Sequence, residues 1–373
     1  MNKNLGLYLH YPFCVRKCQY CDFLSFPSNQ ETRREYREAL LKEIRDRAKK
    51  MSSYTVDTIF FGGGTPSLLD GREMQEIISA IKSHFSISEN YEFTVECNPG
   101  TVTADKLAAY RECGVNRLSF GLQSVISNEL RALGRIHSYE DFLLSYQQAE
   151  QAGFTNINVD LMSGIPFQTR ESFRKSCQMV LELEPAHISA YSLIIEEGTP
   201  FYSLYSEHPP VDEDTDRQMY ADTKQIMKSA GFDRYEISNY ARPGYECRHN
   251  LKYWSGDDYL GIGLGAASLV NHTRFSNERK LEKYLSEPNC MESVQHLSEQ
   301  EQMEEFMFLG LRKCSGVRIS EFELQFQSNL MDEYGDVIQK YIKLGMLAQN
   351  EDALFLTESG IDVSNVILAE FLK

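Results

Sequence analysis

Cys14, Cys18 and Cys21 carry the most specific chemistry in the chain, spaced C-x3-C-x2-C within His10-Tyr11-Pro12-Phe13-Cys14-Val15-Arg16-Lys17-Cys18-Gln19-Tyr20-Cys21-Asp22-Phe23. Three thiolates on one short loop can hold three irons of a 4Fe–4S cube and leave the fourth iron without a protein ligand. An iron with an open position can bind and reduce another molecule directly, whereas a four-cysteine cage only passes electrons or holds structure. The alternative is a non-enzymatic zinc-binding scaffold. Structural zinc is almost always four-coordinate. No fourth Cys or His follows at ligand spacing: His10 lies four residues before Cys14, and Cys97 is remote.

Other residues could bind ligands, each with a plainer reading beside it. Gly62-Gly63-Gly64-Thr65-Pro66 follows the apolar Ile59-Phe60-Phe61. Glycines at a strand end let backbone approach a ligand closely, although alone they read equally as a tight turn. Glu96 ends a strand, where a carboxylate can accept from ribose hydroxyls or an ammonium; a lone Glu there is usually just solvated. Arg135, in Leu133-Gly134-Arg135, offers a planar guanidinium suited to a carboxylate. Its plain reading is a surface salt bridge. In His249-Asn250-Leu251-Lys252-Tyr253-Trp254, an imidazole that could ligate haem iron sits beside two flat aromatics. The competing reading is a packed, hydrogen-bonded core histidine; Cys247 is a weaker candidate thiolate ligand. Gly261-x-Gly263-x-Gly265 lacks dinucleotide-loop spacing and context and reads as a turn. Cys113, Cys177, Cys290 and Cys314 read as structural.

The elements that must position these residues alternate. Strands are expected at Leu5–Leu9, Val56–Phe61, Tyr91–Glu96, Arg117–Phe120, Ile157–Met162 and His187–Leu193. Helices are expected near Glu31–Lys50, Arg72–Phe85, Ala104–Cys113, Asp141–Ala152 and Glu171–Leu183. Repeated β–α units imply a parallel sheet, and about six suggest a partial or full barrel. In such barrels chemistry sits at the C-terminal strand ends. The cysteine loop, Gly62–Pro66, Glu96–Gly100, Gln123 and Asp160–Pro166 all fall there. A long helix over Asp214–Ala230 follows, begun by the acidic Asp212–Asp216, then an aromatic, irregular stretch from Tyr235 to Asn271. The last eighty or so residues read as helices with a late hairpin over Met346–Leu356, a winged-helix-like pattern. The division expected is a core over 1–230, a connecting segment over 231–285 and a C-terminal domain over 286–373.

The cysteine spacing, Tyr20 and the Gly62–Pro66 turn resemble the radical S-adenosylmethionine (SAM) superfamily. The whole chain, through Leu356-Thr357-Glu358-Ser359-Gly360, resembles its branch of oxygen-independent coproporphyrinogen III oxidases and their haem-chaperone relatives. The resemblance implies an α/β fold, a partial (β/α)6 TIM-like barrel with a smaller, mainly helical winged-helix-like C-terminal domain. It implies a 4Fe–4S cluster on Cys14, Cys18 and Cys21. It implies SAM held by Gly63, Gly64, Thr65, Glu96, Gln123, Arg135 and Asp160, with Tyr8 and Tyr20 beside it. It further implies haem at His249, Tyr253 and Trp254, since H-N-x-x-Y-W is the element proposed to bind haem in the chaperones.

Two activities compete on that scaffold. One is a haem chaperone that binds haem and hands it to acceptor haemoproteins, including membrane-bound cytochrome subunits. The other is oxidative decarboxylation of porphyrinogen propionates through a 5′-deoxyadenosyl radical. The oxidases extend their motif by one more cysteine two positions on, where this chain has Phe23. They also carry a long segment ahead of the first strand, whereas Tyr8 already lies on it here. Both departures, with the H-N-x-x-Y-W element, favour the chaperone without coproporphyrinogen oxidase activity. Either needs an electron donor for the cluster.

Composition narrows the rest. Of 373 residues, 42% are hydrophobic and 25% charged, an ordinary globular balance. Net charge is −16, from 38 basic and 54 acidic residues, and no basic run is long enough to offer a nucleic acid a patch. The longest apolar stretch, Leu260–Val270, is too short to span a bilayer. No signal peptide is visible in Met1–Asn4, and nine cysteines led by a ligand set point to a reducing compartment. The expectation is a cytoplasmic protein, peripheral at the membrane during haem transfer.

Overall fold

The computed structural model describes residues 3–373. Six strands and their helices alternate as the periodicity requires: β1 (Lys3–Tyr11), α1 (Gln30–Ala48), β2 (Tyr54–Gly63), α2 (Gly71–His84), β3 (Ile87–Cys97), α3 (Ala104–Glu112) and β4 (Arg117–Gln123). They continue with α4 (Ser127–Ala132), α5 (Tyr139–Gln151), β5 (Ile157–Ser163), α6 (Arg170–Leu181) and β6 (His187–Ser192). All six strands run parallel, each hydrogen-bonded to the next in sequence. Covered on both faces, they read as near-continuous apolar runs; every residue of β4 is buried. Helix starts are written locally. Asp70 and Glu73 form a reciprocal capping box on α2, and Ser138 and Asp141 do the same on α5.

Then come α7 (Pro200–Tyr205), α8 (Glu213–Ser229), β7 (Asp233–Arg234), β8 (Asn239–Ala241) and α9 (Arg248–Ser255). Asp212 caps α8, as its acidic run suggested. β8 and β7 add antiparallel strands beyond β6. On the other side β9 (Tyr259–Ile262) joins β1 in parallel, followed by antiparallel β10 (Ala267–Val270), β11 (Thr273–Asn277) and β12 (Met291–His296). The sheet therefore runs β12-β11-β10-β9-β1-β2-β3-β4-β5-β6-β8-β7, and the stretch expected to be irregular, Tyr235 to Asn271, supplies α9 and three of these strands, β8, β9 and β10. A second apolar cluster, from Met303 to Phe371, is built from helices and a small sheet that includes the expected hairpin, Leu347–Gln349 with Ala353–Leu356.

Among the described residues no helix is long and apolar enough to cross a membrane.

Candidate functional site

The cysteine loop is pinched at its neck. Cys14 N donates to Phe26 O at 3.1 Å, and Phe26 N to Pro12 O at 2.9 Å. Phe13, fully buried, packs edge-on against Tyr11, Phe26 and Tyr36, with ring centres 5.1–5.7 Å away. Farther out, Gln19 N donates to Leu133 O at 3.0 Å, and the Gln19 carbonyl accepts from Phe201 N at 3.1 Å. His10 Nε2 bonds the Leu24 carbonyl at 2.9 Å and so donates; its Nδ1 accepts from the Tyr8 hydroxyl at 3.0 Å. Burial lowers the His10 pKa, in keeping with a neutral ring.

This anchoring turns all three cysteines onto one cavity of about 360 Å³ at the C-terminal strand ends. Tyr20, Gly63, Gly64 and Thr65 line it, as do Glu96, Gln123, Arg135 and Asp160. Tyr8 does not. It lies deeper in the barrel, its ring stacked 6.3 Å from Phe60.

The glycines are needed where they stand. Gly63 has φ +109°, and a Cβ there would lie 2.6 Å from the His10 ring; a Cβ on Gly64 would lie 2.7 Å from Phe13 O. Gln123 also holds a left-handed φ of 73°, fixed where its Oε1 accepts from Tyr191 OH at 3.0 Å. Strain of this kind persists where surroundings over-determine it, commonly at binding sites.

Two carboxylates face the cavity. Glu96 accepts from Gly63 N at 3.0 Å, and Asp160 from Asn158 Nδ2 at 2.7 Å. Burial, then the neighbouring Asp160, pushes Glu96 up to about 8, and burial likewise raises Asp160. Arg135 reaches across with Nη2 to the Gly121 carbonyl and to Asn98 Oδ1 at 2.8 Å, and with Nη1 to Cys18 Sγ at 3.6 Å. Its Nε is buried without a partner.

That chemistry fits SAM and an iron–sulfur cluster. Two buried carboxylates of raised pKa suit a cationic ligand, and an orphaned guanidinium N–H suits a carboxylate on the same ligand. Burial raises the Cys14 and Cys21 thiols, and hydroxyls soften the effect: Thr65 and Ser25 at Cys14, Ser25 at Cys21. Iron binding would draw both into the thiolate form. Among the described residues no three His, Cys, Asp or Glu side chains are grouped to hold a single metal ion.

Residue-level reading missed Asn98, whose Nδ2 donates to Thr65 Oγ1 at 2.8 Å, and Tyr191, which fixes Gln123. Both stand at strand ends, so the rule that found the other residues applied to them too.

The H-N-x-x-Y-W element lies elsewhere, on α9, against the first halves of β2 and β3. His249 is 0% exposed; its Nδ1 bonds Thr58 Oγ1 and its Nε2 Tyr253 OH, each at 2.9 Å. Burial lowers its pKa to about 3, so the ring is neutral. Phe60 stacks on it at 5.3 Å. Lys252 pairs with Asp57 at 3.0 Å, and Trp254 lies under the Arg312 guanidinium with its Nε1 buried and unpartnered.

Comparison with known proteins adds an independent line. The radical SAM superfamily profile matches residues 8–180, and the HemN C-terminal domain profile matches 297–363. The chain is 36% identical to the heme chaperone HemW of Bacillus subtilis, covering 98% of each. It is 35% identical to HemW of Escherichia coli, over 99% of this chain and 98% of that one. A mouse protein, radical S-adenosyl methionine domain-containing protein 1, mitochondrial, is 32% identical over 98% of this chain and 87% of its own. The solved structure of E. coli coproporphyrinogen III oxidase (HemN) superposes with a TM-score of 0.88 at 23% identity, covering 100% of this chain and 91% of that one. The last likeness concerns fold alone. It agrees with the open barrel and helical C-terminal region expected.

Proposed function

We infer from one premise, that the chain belongs to the radical SAM superfamily and within it to the HemW family, that it binds haem and transfers it to acceptor haemoproteins. The observation that carries this is identity of 35–36% over 98% or more of this chain to proteins named heme chaperone. The oxidase alternative has behind it a likeness of fold and a domain profile over residues 297–363, and Phe23, 60% exposed, stands where an oxidase would extend its cysteine motif.

In this reading Cys14, Cys18 and Cys21 hold a 4Fe–4S cluster. Gly63, Gly64 and Thr65 receive the SAM amino group, and Arg135 its carboxylate. Glu96, Gln123 and Asp160 surround the remainder, with Tyr20 at the side and Tyr8 beneath. Bound together, cluster and SAM supply one-electron reductive chemistry. The chain's own contribution is orientation, two carboxylates of tuned charge and a mouth that limits water. Haem iron takes His249, flanked by Tyr253 and Trp254, after α9 has moved, because both ring nitrogens are occupied while the helix is seated. The division into a barrel core over 1–230, a segment carrying α9 and a C-terminal domain serves the same reading. So does a cytoplasmic setting with an electron donor and haemoprotein acceptors as partners.

The test is a paired assay on one anaerobically reconstituted preparation. It should bind haem near one equivalent, pass it to an apo-haemoprotein and release no carbon dioxide from coproporphyrinogen. Robust decarboxylation would sink the chaperone reading in favour of the oxidase.

A further inference from the structure

Helix α9 is not capped by its own sequence. Cys247 stands at its N-cap and makes no side-chain capping bond. The role falls to Glu92 of β3, which is 6% exposed: Oε1 accepts from His249 N at 3.1 Å, and Oε2 from Arg248 N at 3.0 Å. The Cys247 thiol also points to Glu92 Oε1, at 3.6 Å. A carboxylate from a strand thus holds the helix that carries His249.

A second tie runs from this helix to the cavity. Cys247 N donates to Tyr235 OH at 3.2 Å; that hydroxyl lies 2.8 Å from His187 Nε2. His187 Nδ1 lies 2.6 Å from Asn158 Oδ1, and Asn158 Nδ2 donates to Asp160 Oδ1 at 2.7 Å. The polarity of this chain is forced. Asn158 Nδ2 also donates to Ser119 Oγ, so its Oδ1 is the acceptor and His187 Nδ1 carries a proton. Burial keeps His187 neutral, so its Nε2 accepts from the Tyr235 hydroxyl, leaving that oxygen to accept from Cys247 N. Each link is satisfied only while its neighbours keep their places. Arg117, 2% exposed, is the buried cation facing both carboxylate ends, Glu92 and Asp160.

Such a network is not what stability alone selects, since apolar side chains of similar volume would pack a barrel interior as well or better. We propose that Glu92 and the chain Asp160–Asn158–His187–Tyr235 position α9 and make its release depend on what occupies the cavity. The proposal rests on the reading of the cavity as a SAM site. A cation there favours ionised Asp160, and an ionised carboxylate accepts more strongly from Asn158. An occupied cavity therefore tightens the chain and keeps His249 seated; an emptied one loosens it.

Hydrogen exchange on full-length, anaerobically reconstituted protein tests this, with SAM binding measured separately by equilibrium dialysis. SAM should slow exchange of the amides of residues 247–255 by about fivefold or more in the wild type. Tyr235→Phe removes one hydroxyl and keeps the ring. It should bring exchange there to one faster rate with and without SAM, abolishing the SAM effect, while SAM affinity stays within about twofold. His187→Gln, one link nearer the cavity, should do the same. SAM-dependent protection that survives in both variants, or that is absent in wild type with SAM bound, overturns the coupling alone. Failure of the wild type to bind SAM overturns the cofactor reading and the coupling with it.

Discussion

Glu96 lines the cavity, and in the proposed reading its carboxylate meets the cationic ligand. Its carboxyl is pushed up to about 8 by burial and by Asp160, so at neutral pH it is largely protonated in the empty cavity. A cationic ligand favours the ionised form, so binding below that pKa expels a proton. SAM affinity should therefore rise about tenfold from pH 7 to 9 and level off above. Titration of SAM against anaerobic protein across that range measures it, and Glu96→Gln should flatten the profile. A flat wild-type profile would mean that the carboxylate does not meet the cation.

At the scale of elements, the cysteine loop is held by its base more than by its tip. Phe13 fills the space among Tyr11, Phe26 and Tyr36 and is 0% exposed. Phe13→Ala should cost about 3–5 kcal/mol of stability from the lost transfer energy and the cavity left behind. It should also release iron faster, because the bonds of Cys14 and Pro12 to Phe26 lose their support. Urea unfolding and iron release to a chelator read the two effects. Unchanged iron retention in a destabilised variant would show that the loop is ordered by its metal alone. Elements also mark where sequence reading worked. The six parallel strands and five of their helices were legible because short apolar runs alternate with longer amphipathic stretches, and capping residues such as Asp70 and Ser138 are local. Helix α9 was not legible. Its cap is Glu92, far away in sequence, and its short length left Tyr235–Asn271 looking irregular. The pairing of β9 with β1 and the bond between His249 Nδ1 and Thr58 are likewise non-local.

At the scale of the molecule, Glu43 joins the barrel to the strands added beyond β1. From α1 its Oε2 accepts from Gly263 N at 2.9 Å and Tyr284 OH at 2.8 Å, and its Oε1 from Asn277 Nδ2 at 2.7 Å. Arg47 lies 3.3 Å away. Burial raises the Glu43 pKa to about 7, with Arg47 opposing. Because the folded value lies above the unfolded one, the folded state keeps a proton that the unfolded chain has released. This contribution is complete below the unfolded pKa near 4.5 and is lost as pH rises through 7. Lowering pH from 7.5 to 5.5 should add about 2 kcal/mol from this group. Glu43→Gln should lack that increment relative to wild type in denaturant titrations at the two pH values. Parallel behaviour of the two proteins would remove Glu43 as the source.

Helix α9 stops the barrel where its strands begin, and the cysteine-lined mouth opens where they end. Glu92, against the helix, and Glu96, on the cavity, are four positions apart on β3, roughly 13 Å of extended chain. For a carrier working as proposed, that thickness is insulation. An iron porphyrin parked on the helix stays out of reach of a short-lived oxidant made at the far end. The protein collecting the porphyrin and the one delivering electrons can then approach from opposite poles without competing for one doorway.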